Sequence, residues 1–174
     1  MQRLERELSV TNLHHLVDVC REAEIGLLNA ASRSQKPGLK KFLGGEALQH
    51  SLFIVELQLE LRKLGEAAKL VTPNFSLPGW KELSPTQVLP LALSSDEGVL
   101  RLCEEGGRSV LREYSRTLHE KLPPDVVQLV ERQRSDLQLA HDRLRQLQIQ
   151  LQKGDLSIRG HGNTSPMPSG RKPL

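Results

Sequence analysis

The chain has 174 residues, of which 37% are hydrophobic and 3% aromatic, and its 24 basic and 21 acidic residues give a formal charge of +3. This length supports one domain with a self-sufficient core, and the interleaved charges lack the focused basic surface that nucleic-acid binding needs. No apolar run approaches the ~20 residues of a membrane span, and residues 1–7 lack the apolar core of a signal peptide, so we predict a cytoplasmic protein without nucleic-acid or membrane partners.

Residues 1–10 are predicted to be a charged lead-in, and a first helix to begin at Thr11 or Asn12, whose short side chains suit an N-cap. Apolar residues then recur at alternating steps of four and three, the period of a buried seam in a helical bundle. The seam positions are Leu13, Val17, Cys20, Glu24, Leu27 and Ala31. Glu24 is the charged member of this seam, and burying a carboxylate is costly unless it is paired or bound to a metal.

A Pro37-Gly38 turn separates the first helix from a second, predicted over Leu39–Leu64 with Gly65 as the residue that ends it. The seam of the second helix is predicted at Leu39, Leu43, Glu46, His50, Phe53, Leu57 and Leu64. Within it, Gly44-Gly45 costs about 1 kcal/mol per residue relative to alanine. Either a close helix contact or a local irregularity would explain this pair.

Residues 66–95 contain most of the helix-breaking prolines, and we predict a long crossover with one short helix near Thr86–Leu93. Its apolar side chains are too numerous to remain exposed, so the crossover is predicted to lie across the bundle. They are Phe75, Leu77, Trp80, Leu83, Val88, Leu89 and Leu91. Trp80 is predicted to anchor this packing.

Ser94 or Ser95 is predicted to cap a third helix, with its seam at Leu100, Cys103, Gly107, Val110 and Tyr114. Pro123-Pro124 breaks the chain before a fourth helix, predicted over Asp125–Gln152. The seam of this last helix is predicted at Val127, Val130, Arg134, Leu137, His141 and Leu144. Residues 153–174 are rich in Gly, Ser and Pro and are predicted to be a disordered tail.

The two halves of the chain resemble each other. Val19–Glu22 is similar to Leu102–Glu105, and each half ends on Leu-Arg-x-Leu, at Leu61–Leu64 and at Leu144–Leu147. Two helical hairpins joined by a long crossover form the topology of ferritin-like bundles. We therefore predict an all-α, ferritin-like antiparallel four-helix bundle over residues 11–152. The cysteines, both on apolar helical positions, are predicted to be buried reduced thiols.

The chain from about Leu13 to Gln152 also resembles a bacterial family of ferritin-like four-helix bundles, a domain of unknown function. The resemblance rests on packing and turn motifs in a consistent order: Asp18–Glu24, Leu39–Phe42, Glu56–Gln58, Leu64-Gly65, Gly79-Trp80 with Leu83, Cys103–Gly106, Glu131–Gln133 and Ala140–Arg143. It implies the bundle fold and no assigned activity.

Di-iron proteins of the ferritin-like superfamily take one Glu from each of two helices and a Glu-x-x-His from each of the other two. When this pattern is placed on the sequence, one ligand position keeps its residue type, at Glu24. The other five positions are occupied by His50, Phe53, Gly107, Arg134 and Leu137. We therefore expect no cofactor and no catalytic residue. The alternative is a site for iron or another divalent metal made by Glu24, Glu46, His50 and His141.

Without a metal, we predict a buried polar layer in which Glu24 pairs with Arg134, with His50 at the same level of the bundle. The predicted function is a non-enzymatic structural or interaction protein that self-associates, as a homodimer or higher oligomer, or binds a protein partner of unknown identity. The face predicted for this contact is Leu28, Leu52, Ile54, Leu59 and Leu111. The alternative function is a divergent metal-binding or oxidoreductase bundle.

Overall fold

The computed structural model describes residues 1–68 and 72–153; most of the predicted tail lies outside these ranges. The helices are α1 (Arg3–Arg33), α2 (Pro37–Lys63), the short 3-10 helix Leu91–Leu93, α3 (Asp96–Leu118) and α4 (Pro124–Gln152). The hairpins α1–α2 and α3–α4 pack together through α1 and α3, while the α2–α4 side is the loosest. The predicted ferritin-like bundle of two hairpins joined by a crossover is confirmed.

α1 begins eight residues before the predicted N-cap. The side chains of Thr11 and Asn12 donate to backbone carbonyls four residues earlier, at 2.9 and 3.0 Å, as they do inside a helix. The predicted cap at these residues is therefore wrong, and most of the charged lead-in is helical. Arg6 fixes this extension, because its guanidinium donates two hydrogen bonds to the carbonyl of Leu64 at the end of α2.

Two helices are rotated relative to the predicted seams. The buried seam of α1 is Ser9, Leu13, Leu16, Cys20, Ala23, Leu27 and Ala30, none more than 3% exposed. That of α4 is Val126, Val130, Gln133, Leu137 and Leu144, all at most 6% exposed. Ala23 and Gln133 thus take the places predicted for Glu24 and Arg134. Leu13, Cys20 and Leu27 of α1 and Val130, Leu137 and Leu144 of α4 belong to both the predicted and the observed seams, so each helix is turned by roughly half of the 100° step between neighbouring residues. This turn moves both charged groups off the bundle axis.

The other helix ends follow local chemistry. Gly65 ends the α2 turn with φ of +83°, as predicted for a residue that tolerates the left-handed conformation. Ser95 caps α3 by accepting a hydrogen bond from the Gly98 N–H at 3.1 Å. The short helix predicted over Thr86–Leu93 is only the 3-10 turn Leu91–Leu93, because Pro90 just before it has no N–H to donate.

The crossover lies across α1 and α3, and Trp80 anchors it as predicted. The indole is 2% exposed. It fits against Gly26 of α1 and Gly106 of α3: a Cβ at Gly26 would lie 2.6 Å from Trp80 Cε3, and one at Gly106 would overlap the same ring. Gly79, with φ of +87°, brings the crossover backbone directly against α3. Glycines therefore make the slot that holds the tryptophan.

Polar side chains of α1 satisfy the crossover backbone. The Glu22 carboxylate is 5% exposed and accepts hydrogen bonds from the N–H groups of Ser76 and Leu77 at 3.0–3.2 Å. Two turns further on, Asn29 donates to the carbonyl of Leu83 at 2.6 Å. These bonds replace water for an irregular segment that covers the core.

Within the described ranges, every helix is too short or too polar to cross a bilayer.

Candidate functional site

Glu24 lies beside the α1–α2 contact and is neutralised locally. Its Oε2 accepts a hydrogen bond from Arg21 at 2.6 Å, and its Oε1 accepts a short one from the hydroxyl of Ser51. The Glu24 side chain is 15% exposed. Its position level with the middle of α2 is as predicted, but its partner there is Ser51, the residue after His50.

The predicted pairing of Glu24 with Arg134 is wrong. Arg134 donates from Nε to the hydroxyl of Ser115 on α3 at 2.8 Å, and its side chain is half-buried. Desolvating an ion pair on the bundle axis costs several kcal/mol per ion, whereas a position one residue to the side keeps part of the hydration. The rotated α1 and α4 thereby keep both charges off the axis.

The structure places a different polar layer at the centre of the bundle, with one residue from each helix. Tyr114 donates its hydroxyl proton to Gln133 Oε1 at 2.8 Å, and Gln133 donates from Nε2 to Glu56 Oε2 at 2.8 Å. The thiol of Cys20 lies 3.1 Å from the Tyr114 oxygen. Glu56 reaches the surface, where Arg132 donates to its other oxygen at 2.8 Å. This layer was not predicted from the sequence.

This layer is electrically neutral in its buried part. Burial raises the pKa of the Cys20 thiol to about 12 and that of the Tyr114 hydroxyl well above its usual range. Burial also raises the pKa of Cys103. Both cysteines are buried and free, as predicted. Such thiols remain protonated at neutral pH, so they are poor nucleophiles and poor metal ligands.

Three of the four candidate metal ligands line one cavity of about 30 Å³ on the α2–α4 side, next to Trp80. They are Glu46, His50 and His141, and we call this space the His50 cavity; Glu24 lies outside its lining. It has room for one or two water molecules. His141 Nε2 is 3.2 Å from the backbone oxygen of Glu104. In the described part of the chain, no group of three or more His, Cys, Asp or Glu side chains is placed to hold a metal.

The residues of this site do not fit a di-iron centre. The position of one bridging carboxylate is Gly107, where even a Cβ would lie 3.0 Å from the His141 ring. His50 replaces another carboxylate, and Arg134 turns to Ser115. A centre of that type needs several carboxylates facing one another, and the bundle places a glycine and an imidazole at two of these positions instead.

His50 is buried, and its Nδ1 has no hydrogen-bond partner within residues 1–68 and 72–153. Burial lowers the pKa of His50 from 6.5 to about 4, so the ring is neutral at pH 7. The carboxyl of Glu46, on the same cavity, has its pKa raised by burial, an effect that Arg143 partly offsets. Burial thus disfavours the charged form of both groups on the α2 side of the His50 cavity.

We expect His50 to make the protein less stable as the pH falls below 6.5. Between the folded pKa of about 4 and the unfolded value of 6.5, the unfolded chain binds more protons, so stability rises with pH. The loss relative to neutral pH is about 1 kcal/mol at pH 5.5. Urea unfolding at pH 7.5 and 5.5 measures it, with His50→Gln as the non-titrating control. Equal pH dependence in the two proteins would contradict this assignment.

A second apolar surface lies on the outside of α2. Leu48, Leu52, Val55 and Leu59 are 62, 58, 53 and 47% exposed, at steps of four, three and four residues. We call these four residues the outward stripe of α2. They face away from the buried side of the same helix, which includes Leu43, Leu57 and Leu61. Leu28 of α1 is 52% exposed.

The predicted contact face is therefore partly wrong. Ile54 and Leu111 are 3 and 9% exposed and belong to the core, whereas Leu28, Leu52 and Leu59 are exposed as predicted. Ile54 follows the buried period of α2 rather than the outer one.

Comparison with known proteins supports the fold alone. No family model matches the sequence, and no curated protein sequence matches it. Among solved structures, a two-domain protein from Anabaena variabilis with DJ-1/ThiJ/PfpI-like and ferritin-like domains matches with a TM-score of 0.64 at 13% identity. The match covers 95% of this chain and 41% of that protein, so the chain spans less than half of the relative's length.

Proposed function

We propose that this chain is a non-enzymatic structural or interaction protein that associates through the outward stripe of α2, first of all with copies of itself. The observation that carries the proposal is that α2 is apolar on two opposite sides. One side is covered by the bundle, and the other faces solvent within the described chain. A contiguous apolar face of this kind typically marks a surface that another protein covers.

The charge distribution supports the same surface. α2 has no Asp, Glu, Lys or Arg between Glu46 and Glu56, whereas the exposed side of α4 carries charges at Glu131, Arg132, Asp142 and Arg143. Interface cores are depleted of charge in this way. Leu28 extends the surface onto α1, because it lies one turn after Glu24, which turns toward α2 to bond Ser51.

The centre of the bundle supports a non-enzymatic role. Tyr114 and Gln133 use their polar atoms on each other and on Glu56, so the polar atoms of these two side chains are already engaged. The buried thiols stay protonated. This layer contributes a specific packing arrangement rather than chemistry.

Light scattering at tens of micromolar protein tests the proposal. We expect the wild-type protein to have at least twice the chain mass of 19.5 kDa and Leu52→Lys/Leu59→Lys to have the mass of one chain. The matched control is Leu139→Lys on α4, a residue that is 57% exposed and outside the stripe, and it should leave the mass unchanged. A monomeric wild-type protein would overturn the proposal.

A second candidate function, a divergent metal-binding or oxidoreductase bundle, is favoured by one observation: Glu46, His50 and His141 share a cavity. Elemental analysis of untagged protein purified without chelator distinguishes the two candidates. Near-stoichiometric iron, manganese or zinc that is lost in His50→Gln and kept in Glu24→Ala would support this second function. Absence of metal from all three proteins would support the first.

A further inference from the structure

We propose that two copies of this chain pair by packing their outward stripes antiparallel, about a twofold axis that passes between Leu52 and Val55. This inference rests on the proposed function, since it specifies the partner of the same surface and its orientation. It follows from the spacing of the stripe, the charges of α2 and the two glycines near its start.

The spacing of the stripe is the same in both directions along the helix. Leu48, Leu52, Val55 and Leu59 are separated by four, three and four residues, so an antiparallel copy matches each apolar residue with another. Leu52 then lies against the partner's Val55, and Leu48 against the partner's Leu59. Twofold pairs of this kind, in which one patch packs on itself, are the commonest homo-oligomers.

The charges of α2 favour the antiparallel orientation over the parallel one. The region before Gly45 carries Lys36, Lys40 and Lys41 and no carboxylate. The other end carries carboxylates at Glu56, Glu60 and Glu66, with cations at Arg62 and Lys63. Of the three lysines, Lys41 lies on the stripe side of α2, two turns before Leu48. A parallel pair would set Lys41 against its own copy, whereas an antiparallel pair sets it beside the end of the partner helix that carries charges of both signs. The helix dipoles also oppose each other in the antiparallel pair.

Gly44 and Gly45 fit the same arrangement. α2 runs through them as a regular helix, which excludes the local irregularity, and a Cβ at either would meet nothing within 4 Å. Their cost in helix propensity therefore has no compensating contact in the described chain. About the proposed axis they face the partner's Lys63 and the partner's Arg62, and the absence of side chains leaves room for these long residues.

The size of the surface sets the expected affinity. The stripe spans eleven residue steps, about 17 Å of helix, and stable protein interfaces bury about 800 Å² on each partner. One helix face about 17 Å long, with Leu28 at its border, is smaller than that. We therefore expect a dissociation constant in the micromolar range, roughly −8 kcal/mol, and the experiments need tens of micromolar protein.

Disulfide cross-linking between two single-cysteine variants tests the orientation. Cys20 and Cys103 are at most 1% exposed, so they do not compete with introduced surface cysteines. The variants are Leu48→Cys and Leu59→Cys, and one of them carries a tag. Copper–phenanthroline oxidises each variant separately and the two variants as a mixture. In the antiparallel pair the two different positions meet, whereas identical positions lie about 17 Å apart along the axis, beyond disulfide reach.

We expect the mixture to form a tagged–untagged dimer at least tenfold faster than either variant forms its own dimer. Fast cross-linking of each variant alone, without mixed dimer, would show a parallel pair and overturn this inference while leaving self-association intact. A dimer in light scattering that no pair cross-links would place the contact on another face. A monomeric wild-type protein would overturn both proposals. Leu139→Cys, outside the stripe, controls for random collision.

Discussion

Replacing Trp80 with alanine is expected to lower the free energy of unfolding by about 3–5 kcal/mol. The indole is the largest side chain that joins the crossover to the bundle, and it is 2% exposed between α1 and α3. Its removal leaves a cavity lined by Gly26 and Gly106, which have no side chains with which to fill it. Val88→Ala, at a crossover residue that is 90% exposed, is the control and should change stability by less than about 0.5 kcal/mol.

A double-mutant cycle with Gly26→Ala separates loss of this contact from general damage to the crossover. In the wild-type protein the new methyl group would lie 2.6 Å from the Trp80 ring, so Gly26→Ala should destabilise. Without the ring the clash disappears, and the higher helix propensity of alanine should stabilise α1 by up to about 1 kcal/mol. We therefore expect Gly26→Ala to change sign between the two backgrounds.

Urea unfolding followed by far-ultraviolet circular dichroism measures the four proteins of this cycle, because Trp80 is the single tryptophan of the chain and its fluorescence is lost with it. Equal effects of Gly26→Ala in both backgrounds would mean that the indole does not occupy the glycine slot. In that case the crossover would be held mainly by Glu22 and Asn29.

The helices and the crossover could be predicted because each depends on a strong local signal. Prolines and glycines mark the breaks, and the four-three period marks the helices between them. Trp80 followed from composition, since so large an apolar group in a crossover has to be covered. The start of α1 could not be found in this way, because Arg6 holds it through a carbonyl of Leu64 that is distant in sequence.

The orientation of α1 and α4 could not be predicted because two neighbouring seams fit each sequence. In α1, a seam through Ala23 and a seam through Glu24 both satisfy the four-three period, and alanine is too small to give a decisive apolar signal. In α4, the choice between Gln133 and Arg134 is similarly balanced by flanking valines at 126 and 127. Only the packing between the helices decides which seam is buried. It buries the neutral amide of Gln133 and leaves the guanidinium of Arg134 half-exposed.

The outward stripe shows the same ambiguity in a different form. Because α2 is apolar on both sides, the sequence does not show which apolar residues are buried. Ile54 was predicted for the outer contact face but is buried in the core. Leu48 and Val55, which complete the stripe, were missed for this reason. α2 has more apolar residues than one buried side requires. This excess is the sequence signal for a second apolar surface, of a kind that another protein typically covers.

Gln133→Ala is expected to destabilise the protein by about 2–4 kcal/mol, while Arg134→Ala should cost less than about 1 kcal/mol. Gln133 is fully buried and connects Tyr114 to Glu56, so its loss leaves a cavity and two polar groups without their partner. Arg134 is half-buried and makes one hydrogen bond, to Ser115. Chemical denaturation of the two variants side by side measures the difference.

Reversed magnitudes would mean that α4 is turned by roughly half of the 100° step between neighbouring residues and that Arg134 faces the axis, as the seam pattern indicates. A second pair of variants tests the hydrogen bond itself. Tyr114→Phe and Gln133→Leu each leave the other partner unsatisfied, whereas the double variant removes both polar groups from the layer. The double variant should therefore be less destabilised than the sum of the single ones. Additive effects would show that Tyr114 and Gln133 contribute through their volume alone, and that the polar layer does not specify how the four helices pack.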